Sequence, residues 1–342
     1  MPFSRLQVES GDVGAVAAPR PIGEGAGRTL LRLLNRYSFA FAALLAAALL
    51  IANLLETSGN FGWTAQLANF APMAIAAMAS TPSILSGRGG FDLSISPVMI
   101  FTAAIYVAWL VPAGLDGPAA AIIMLLFGAG IGLINGLLIV GLRIPPVVAT
   151  LSMYFILIGV NLKIVPSPVS VEGSWFNTFS DSIGPVPGAL VTLAIPLLIW
   201  VGLGRTPYRK ALYVVGSNDA SAYSSGVNIG AVRIAAYALG GLMAGIAGIA
   251  VIAVSGSASA SLSTTYALQA VASVALGGTS LLGGRGGLVG PLLGAASIFL
   301  LGNLLISLQV DPSWLQVMYG CMLVLAVVLV TAAGSSRRGA KA

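Results

Sequence analysis

The chain has 342 residues, 57% hydrophobic and 8% charged, where a soluble domain of this size carries about 25% charged residues. So few charges cannot cover a water-facing surface, so the bilayer is the expected solvent for most of the exterior. The net charge is +6, but the bases punctuate apolar runs instead of sharing one soluble face, which excludes a nucleic-acid binder. There is no histidine, which removes histidine metal sites and the Ser-His-Asp triad together.

Taken in chain order, residues 1–36 are polar, Gly-rich and basic, and read as a cytoplasmic N-terminal tail with no cleavable leader. A membrane domain follows over 37–332, and 333–342 read as a cytoplasmic C-terminal tail. A crossing helix needs about 20 apolar residues. Continuous runs such as Phe39–Leu50 and Ala119–Leu126 indicate helices, not the alternating strands of a barrel. The fold class is therefore all-α, a polytopic transmembrane helical bundle. About ten spans are expected, at 37–55, 64–85, 93–111, 118–141, 146–165, 188–203, 232–254, 266–282, 288–307 and 313–332. Prolines in the second and glycines in the eighth interrupt the pattern. Cys321 falls in an apolar stretch and reads as a small buried residue.

Lys and Arg stay preferentially on the cytoplasmic side. With both termini inside, fifteen of the sixteen bases fall in inner segments. These are Arg5, Arg20, Arg28, Arg32 and Arg36, then Arg88, Arg143, Arg205, Arg209, Lys210, Arg233 and Arg285, and finally Arg337, Arg338 and Lys341. Lys163 alone falls at an outer end, where its stem can snorkel. Glu56, Asp116, Glu172, Asp181 and Asp311 fall outside. Two connections are long. The outer 166–187 carries Trp175 and Phe176, as an aromatic interfacial cap or a partner contact. The inner 204–231 exceeds what a bare linker needs.

The spans lack mid-membrane charge. An ionised group there costs about 2.5–3.5 kcal/mol and is kept only for a task such as carrying a proton. Asp92 stands at a span start, where it can cap the helix with Ser94. The Gly-rich run 277–290 has no phosphate-loop lysine, so its expected role is close packing and a tight turn. The polar groups within spans are neutral: Gln66, Asn69, Asn135, Asn161, Gln269 and Asn303. Such amides suit a neutral polyhydroxylated solute. They equally suit hydrogen bonds between helices.

Three stretches resemble the membrane-spanning subunits of ribose-type ABC importers. Gly89-Gly90-Phe91-Asp92-Leu93-Ser94 is similar to that family's Gly-Gly-Ile-Asp-Leu-Ser motif. Asn135-Gly136, followed by Arg143-Ile144-Pro145-Pro146 and Ala149-Thr150-Leu151, resembles its Asn-Gly … Ile-Pro-Pro stretch. Gly277-Gly278-Thr279-Ser280 through Gly283-Gly284-Arg285-Gly286 resembles its Gly-Gly-Thr-Ser … Gly-Gly-Arg-Gly stretch. A fourth, inner stretch is Gly216-Ser217-Asn218-Asp219-Ala220-Ser221-Ala222-Tyr223-Ser224-Ser225-Gly226-Val227, with Ser221 where that family usually has Ala and Tyr223 where Arg is common.

The resemblance implies a permease subunit in the bacterial inner (plasma) membrane, importing a monosaccharide or related polyol. It implies no cofactor and no catalytic site of its own. ABC ATPase subunits would dock on a short coupling helix within 204–231, where Asn218 or Asp219 caps the start and Ala220, Ala222 and Ser224 are small enough to seat in a groove. A second permease subunit and an external solute-binding protein complete the expected partners. A branched-chain amino acid permease, an ion-coupled secondary carrier and a passive channel are the alternatives.

Overall fold

A computed structural model describes residues 39–58, 60–311, 313–315, 317–322, 324 and 328. The expected tails, with their eight bases, and much of the span expected over 313–332 lie outside the described residues. The chain is mainly helical. Helix α1 is Ala40–Glu56, α2 Trp63–Leu85, α3 Ile95–Ile105 with a π-helical continuation Tyr106–Leu110, α4 Pro118–Gly141 and α5 Pro146–Ile164. Then come α6 (Ala189–Gly204), α7 (Pro207–Ser217), α8 (Asp219–Ser224), α9 (Ile229–Ser255), α10 (Thr265–Leu276) and α11 (Val289–Ser307). Proline at the first helical position starts α4, α5 and α7, as its fixed φ favours.

Helices α4, α5, α9 and α11 are long and apolar enough to cross a bilayer, and α6 with α7 would make a fifth if that pair, bent by 88°, were one span. The protein is thus a multi-pass membrane helical bundle. Several expected bounds meet the helices closely, as at 118–141. Others do not. The stretch 266–282 is helical only to Leu276, about 18 Å at 1.5 Å per residue, which is too short to cross by itself. Two-residue strand pairs also interrupt the all-α reading: Val169–Ser170 with Ser257–Ala258, and Ser182–Ile183 with Val186–Pro187. Cys321 is exposed, not buried as its apolar stretch suggested.

Helix α9 is the hub and packs on α2, α3 and α4. Its crossing with α4 is a backbone contact. A Cβ at Gly132 would lie 2.2 Å from the Tyr237 carbonyl oxygen, and one at Gly241 would lie 2.1 Å from that of Gly128. Glycines at 128, 132 and 136 repeat every fourth residue, which puts them on one face of α4. Helix α2 lies inside this frame, with every residue from Ala71 to Leu85 buried. It stays continuous through Pro72 and Pro82, while Ser80 and Thr81 hydroxyls turn back onto the Ala76 and Ala77 carbonyls.

Neutral polar side chains tie the helices. Asn53 of α1 donates to the Leu300 carbonyl of α11 at 2.9 Å, and Ser297 of α11 to the Ala42 carbonyl at 3.1 Å. At the end expected to be outside, the Asp116 carboxylate accepts from the Tyr106 hydroxyl, the Gly117 N–H and the Trp175 N–H, all within 2.8 Å. Partial burial there works to raise its pKa. Those three donors outweigh the burial and hold the carboxyl below the usual range. Rings of Tyr106, Trp175, Phe176 and Phe179 pack beneath, so 166–187 forms a built cap.

The α4–α9 crossing gives a direct test. Gly132→Val forces two backbones apart and should cost at least about 1–3 kcal/mol. The melting temperature of the detergent-purified protein should fall by several degrees. Gly130→Ala, on the same helix with open space around it, should leave the melting temperature unchanged or slightly raised.

Candidate functional site: the inner junction

The long connection 204–231, expected inside, folds into two helices. After α6 the chain turns through 88° into α7, an amphipathic helix that buries Leu212 and Val215. The Arg209 guanidinium folds back 4.8 Å over the Trp200 ring and fixes the elbow. Lys210 and Arg205 are exposed beside it.

Helix α8 follows at once and is capped at both ends. The Asn218 side-chain oxygen accepts from the Ala220 N–H at 2.9 Å and the Ser221 N–H at 3.2 Å. Of the two expected caps, Asn218 is therefore the one used. At the other end Gly226 N–H bonds the Tyr223 carbonyl and Val227 N–H the Ala222 carbonyl, with Gly226 at φ +74°. This is the Schellman arrangement, which wants glycine at its left-handed position. Ala222 is fully buried, whereas Ala220, Tyr223 and Ser225 are exposed, so α8 rests on the bundle by one side and leaves the other open.

Two of the stretches singled out in the sequence meet beneath α8, together with the turn that precedes Gly89. A Cβ at Gly216 would lie 1.9 Å from the Leu85 carbonyl oxygen and 2.5 Å from the Gly284 nitrogen. The Gly284 N–H donates to the Leu85 carbonyl at 3.1 Å, and the Tyr213 hydroxyl to the Gly286 carbonyl at 2.7 Å. The turn after α2, the end of α7 and the turn after α10 therefore meet backbone to backbone, with the Tyr213 and Ser217 hydroxyls bonded at the edge of the contact. Asp219, the first residue of α8, completes it with two ion pairs. Its Oδ2 is 2.6 Å from Arg88 Nε and its Oδ1 is 2.7 Å from Arg233 Nη2. Arg285 stays exposed, and Gly278 takes φ +72° in the same turn.

The rest of the Gly89–Ser94 stretch faces the neighbouring helices. Gly90 packs against the Ser83 carbonyl, and Gly89 takes a left-handed backbone. Asp92 Oδ1 accepts from the Ser94 N–H at 3.0 Å and hydroxyl at 2.6 Å, which fixes the turn before α3, but neither side chain caps a helical N–H as expected. Gly277 meets Gly290 backbone to backbone, which joins α10 to α11.

The six neutral amides divide. Asn135 is fully buried and donates to Ser94 Oγ at 2.8 Å. Asn161 is fully buried and donates to the Pro97 carbonyl and Ser263 Oγ, both at 3.0 Å. Both serve helix packing within this chain. Gln66 accepts from Asn303 Nδ2 at 2.6 Å, and Asn69, three residues on, is exposed. Gln269 is nearly buried on neighbouring α10. Among the described residues no group of three Cys, Asp or Glu is placed to hold a metal ion.

Sequence reasoning missed Asn53, a lone amide in an apolar helix, and the Arg88–Asp219–Arg233 fork. Nothing in the spacing of those three charges announces that they meet.

The junction separates two kinds of glycine. Gly216→Ala has no room and should lower the melting temperature, at a cost of about 1–3 kcal/mol. Gly226→Ala has room but a left-handed backbone, costing about 1–2 kcal/mol. It should instead speed hydrogen exchange over 220–227 and move the melting temperature by less than Gly216→Ala does.

Residues 63–327 match the family described as "Branched-chain amino acid transport system / permease component". The chain is 33% identical over 300 residues to the ribose import permease protein of Escherichia coli (strain K12), which covers 84% of this chain and 92% of that protein. It is 34% identical over 247 residues to the ribose import permease protein of Bacillus subtilis (strain 168), covering 70% and 76% of the two chains. To the fructose import permease protein of Rhizobium meliloti it is 29% identical over 323 residues, covering 88% and 89%. No solved structure matches the chain. With some three quarters of its length inside the family match, and ribose import permeases aligned over most of the chain, the protein belongs to the family of ABC importer permease components.

Proposed function

We propose that this chain is the membrane-spanning subunit of an ATP-driven importer that carries a monosaccharide or related polyol into a bacterial cell. The observation that carries this reading is α8. It is a short helix capped at both ends, seated on the meeting point of three inner turns, with one side open. That is a surface on which an ATPase subunit can push. The relatives named for ribose and fructose import support the solute class. The neutral amides Gln66, Asn69 and Asn303 supply hydrogen-bonding groups that suit hydroxyls and carry no charge.

In this reading about ten spans over 37–332 lie in the inner membrane with both tails cytoplasmic. Residues 204–231 form the coupling segment. The bases Arg205 and Lys210 sit at the height of anionic headgroups, where each is worth about 1 kcal/mol. Two permease subunits enclose the solute route along the face bearing Gln66, Asn69 and Asn303, with Gln269 behind it. A solute-binding protein delivers from outside, over the cap at 166–187. ATP-driven closure of the ATPase subunits rocks the two bundles between outward- and inward-facing states. The permease itself performs no covalent step.

The family's description favours a second reading, a branched-chain amino acid. A zwitterion wants charged partners or helix ends along its route. The fork at Asp219 is instead consumed by its own arginines.

Vesicles containing the chain, its ATPase and its binding protein test this directly. Ribose, fructose or galactose uptake should depend on ATP and survive an ionophore. Leucine should neither be taken up nor compete. Uptake that collapses with the ion gradient would sink the reading. Asn69→Ala should raise the KM for uptake several-fold. Asn161→Ala should instead lower the yield of folded protein, because it strands buried partners at about 1–3 kcal/mol.

A further inference from the structure

Arg88 stands where glycine would be easier. Gly87, Arg88 and Gly89 have φ of +81°, +54° and +68°, three successive left-handed residues. A side chain in that region carries a steric cost that glycine avoids. What the arginine gains is its contact with Asp219 at 2.6 Å.

The two arms of the Asp219 fork are unequal. The Arg233 side chain is 11% exposed, and its Nε also donates to the Ser86 carbonyl. The Arg88 side chain is 71% exposed. A buried charge resists losing its partner, whereas an exposed pair is screened and readily exchanged. Beneath both lies the backbone contact of Gly87, Gly216 and Gly283, which has no bulky side chains to repack when the exposed pair opens.

We propose that Asp219 is a positioning residue with a fixed and a releasable arm. Through Arg233 it holds α8 to α9 throughout the transport cycle. Through Arg88 it latches α8 to the turn that ends α2, and this latch opens when α8 is pushed. Helix α2 carries Gln66 and Asn69 toward its other end, so the latch sets how tightly a push on α8 is passed to the helix lining the route, beside the Arg233–Ser86 bond that stays closed. This inference rests on the reading that α8 meets an ATPase subunit.

The test uses the full complex in vesicles, measuring ATP hydrolysed without solute and solute moved per ATP. Arg88→Gln should assemble normally, raise solute-free hydrolysis about threefold and lower solute moved per ATP to a similar degree, the scale of an exposed ion pair. Arg88→Lys, which keeps the charge, should restore most of both. Raising salt to about 1 M, where the screening length is about 3 Å, should push the wild-type complex toward the Arg88→Gln values and leave the variant unmoved. Wild-type hydrolysis and stoichiometry in Arg88→Gln, or an equal salt response in both, would overturn the latch alone. A wild-type chain that binds no ATPase subunit would overturn the latch and the proposed function together.

Discussion

Close backbone contact is the constraint from which the rest of this structure follows. In a bilayer, an apolar side chain gains little by leaving lipid for another helix, because both surroundings are equally apolar. Helices must instead be held by dispersion at short range and by polar groups with nowhere else to go. Glycine permits the first. Removing side chains at Gly128, Gly132 and Gly241 lets α4 and α9 touch along their carbonyls, and Gly277 with Gly290 does the same for α10 and α11. With those contacts made, α2 is enclosed from Ala71 to Leu85, and a helix broken in sequence by two prolines runs unbroken in space.

Polar groups supply the second force and also settle what the interior can do. Asn53, Asn135 and Asn161 each donate to a group on another segment, so each is spent on holding the bundle. Gln66 and Asn303 spend one bond on each other, so in the proposed reading a solute meets the exposed Asn69 and the amide atoms that this bond leaves over. This division explains how a chain can be rich in polar residues within its spans and still offer an uncharged route. A carboxylate among the spans would need a partner or would take up a proton. Among the described residues the one carboxylate paired with arginines is Asp219, at the start of α8 where three turns meet.

Much of this was legible in the residues. Pro118 and Pro146 mark the starts of α4 and α5, and the apolar runs after them give their lengths. The inner bases predicted that the turns near Arg88 and Arg285 share a side with 204–231, and the structure brings these turns into contact. Hydropathy could not show that the helix within 266–282 stops at Leu276, since glycine turns and glycine-mediated helix packing have the same composition. The role of each amide was illegible for a different reason. Asn161 and Asn69 are the same residue type in similar apolar settings, and only the partner across space separates a packing bond from an open group.

The same logic bears on how a push could travel. A junction of interlocked side chains would transmit force but could not reset without repacking. A junction of charges alone would reset but would be screened by cytoplasmic salt. Here the two are layered. Glycine backbones at 87, 216 and 283 keep the turns in register, and they leave the choice of partner to one carboxylate between an enclosed and an exposed arginine. An exposed pair contributes about 0.2–1 kcal/mol, close to thermal energy, so it can open in every cycle. Taking the partner from a buried charge costs about 3–5 kcal/mol, so that arm stays closed. The gap between these two figures lets a single aspartate act as both hinge pin and catch.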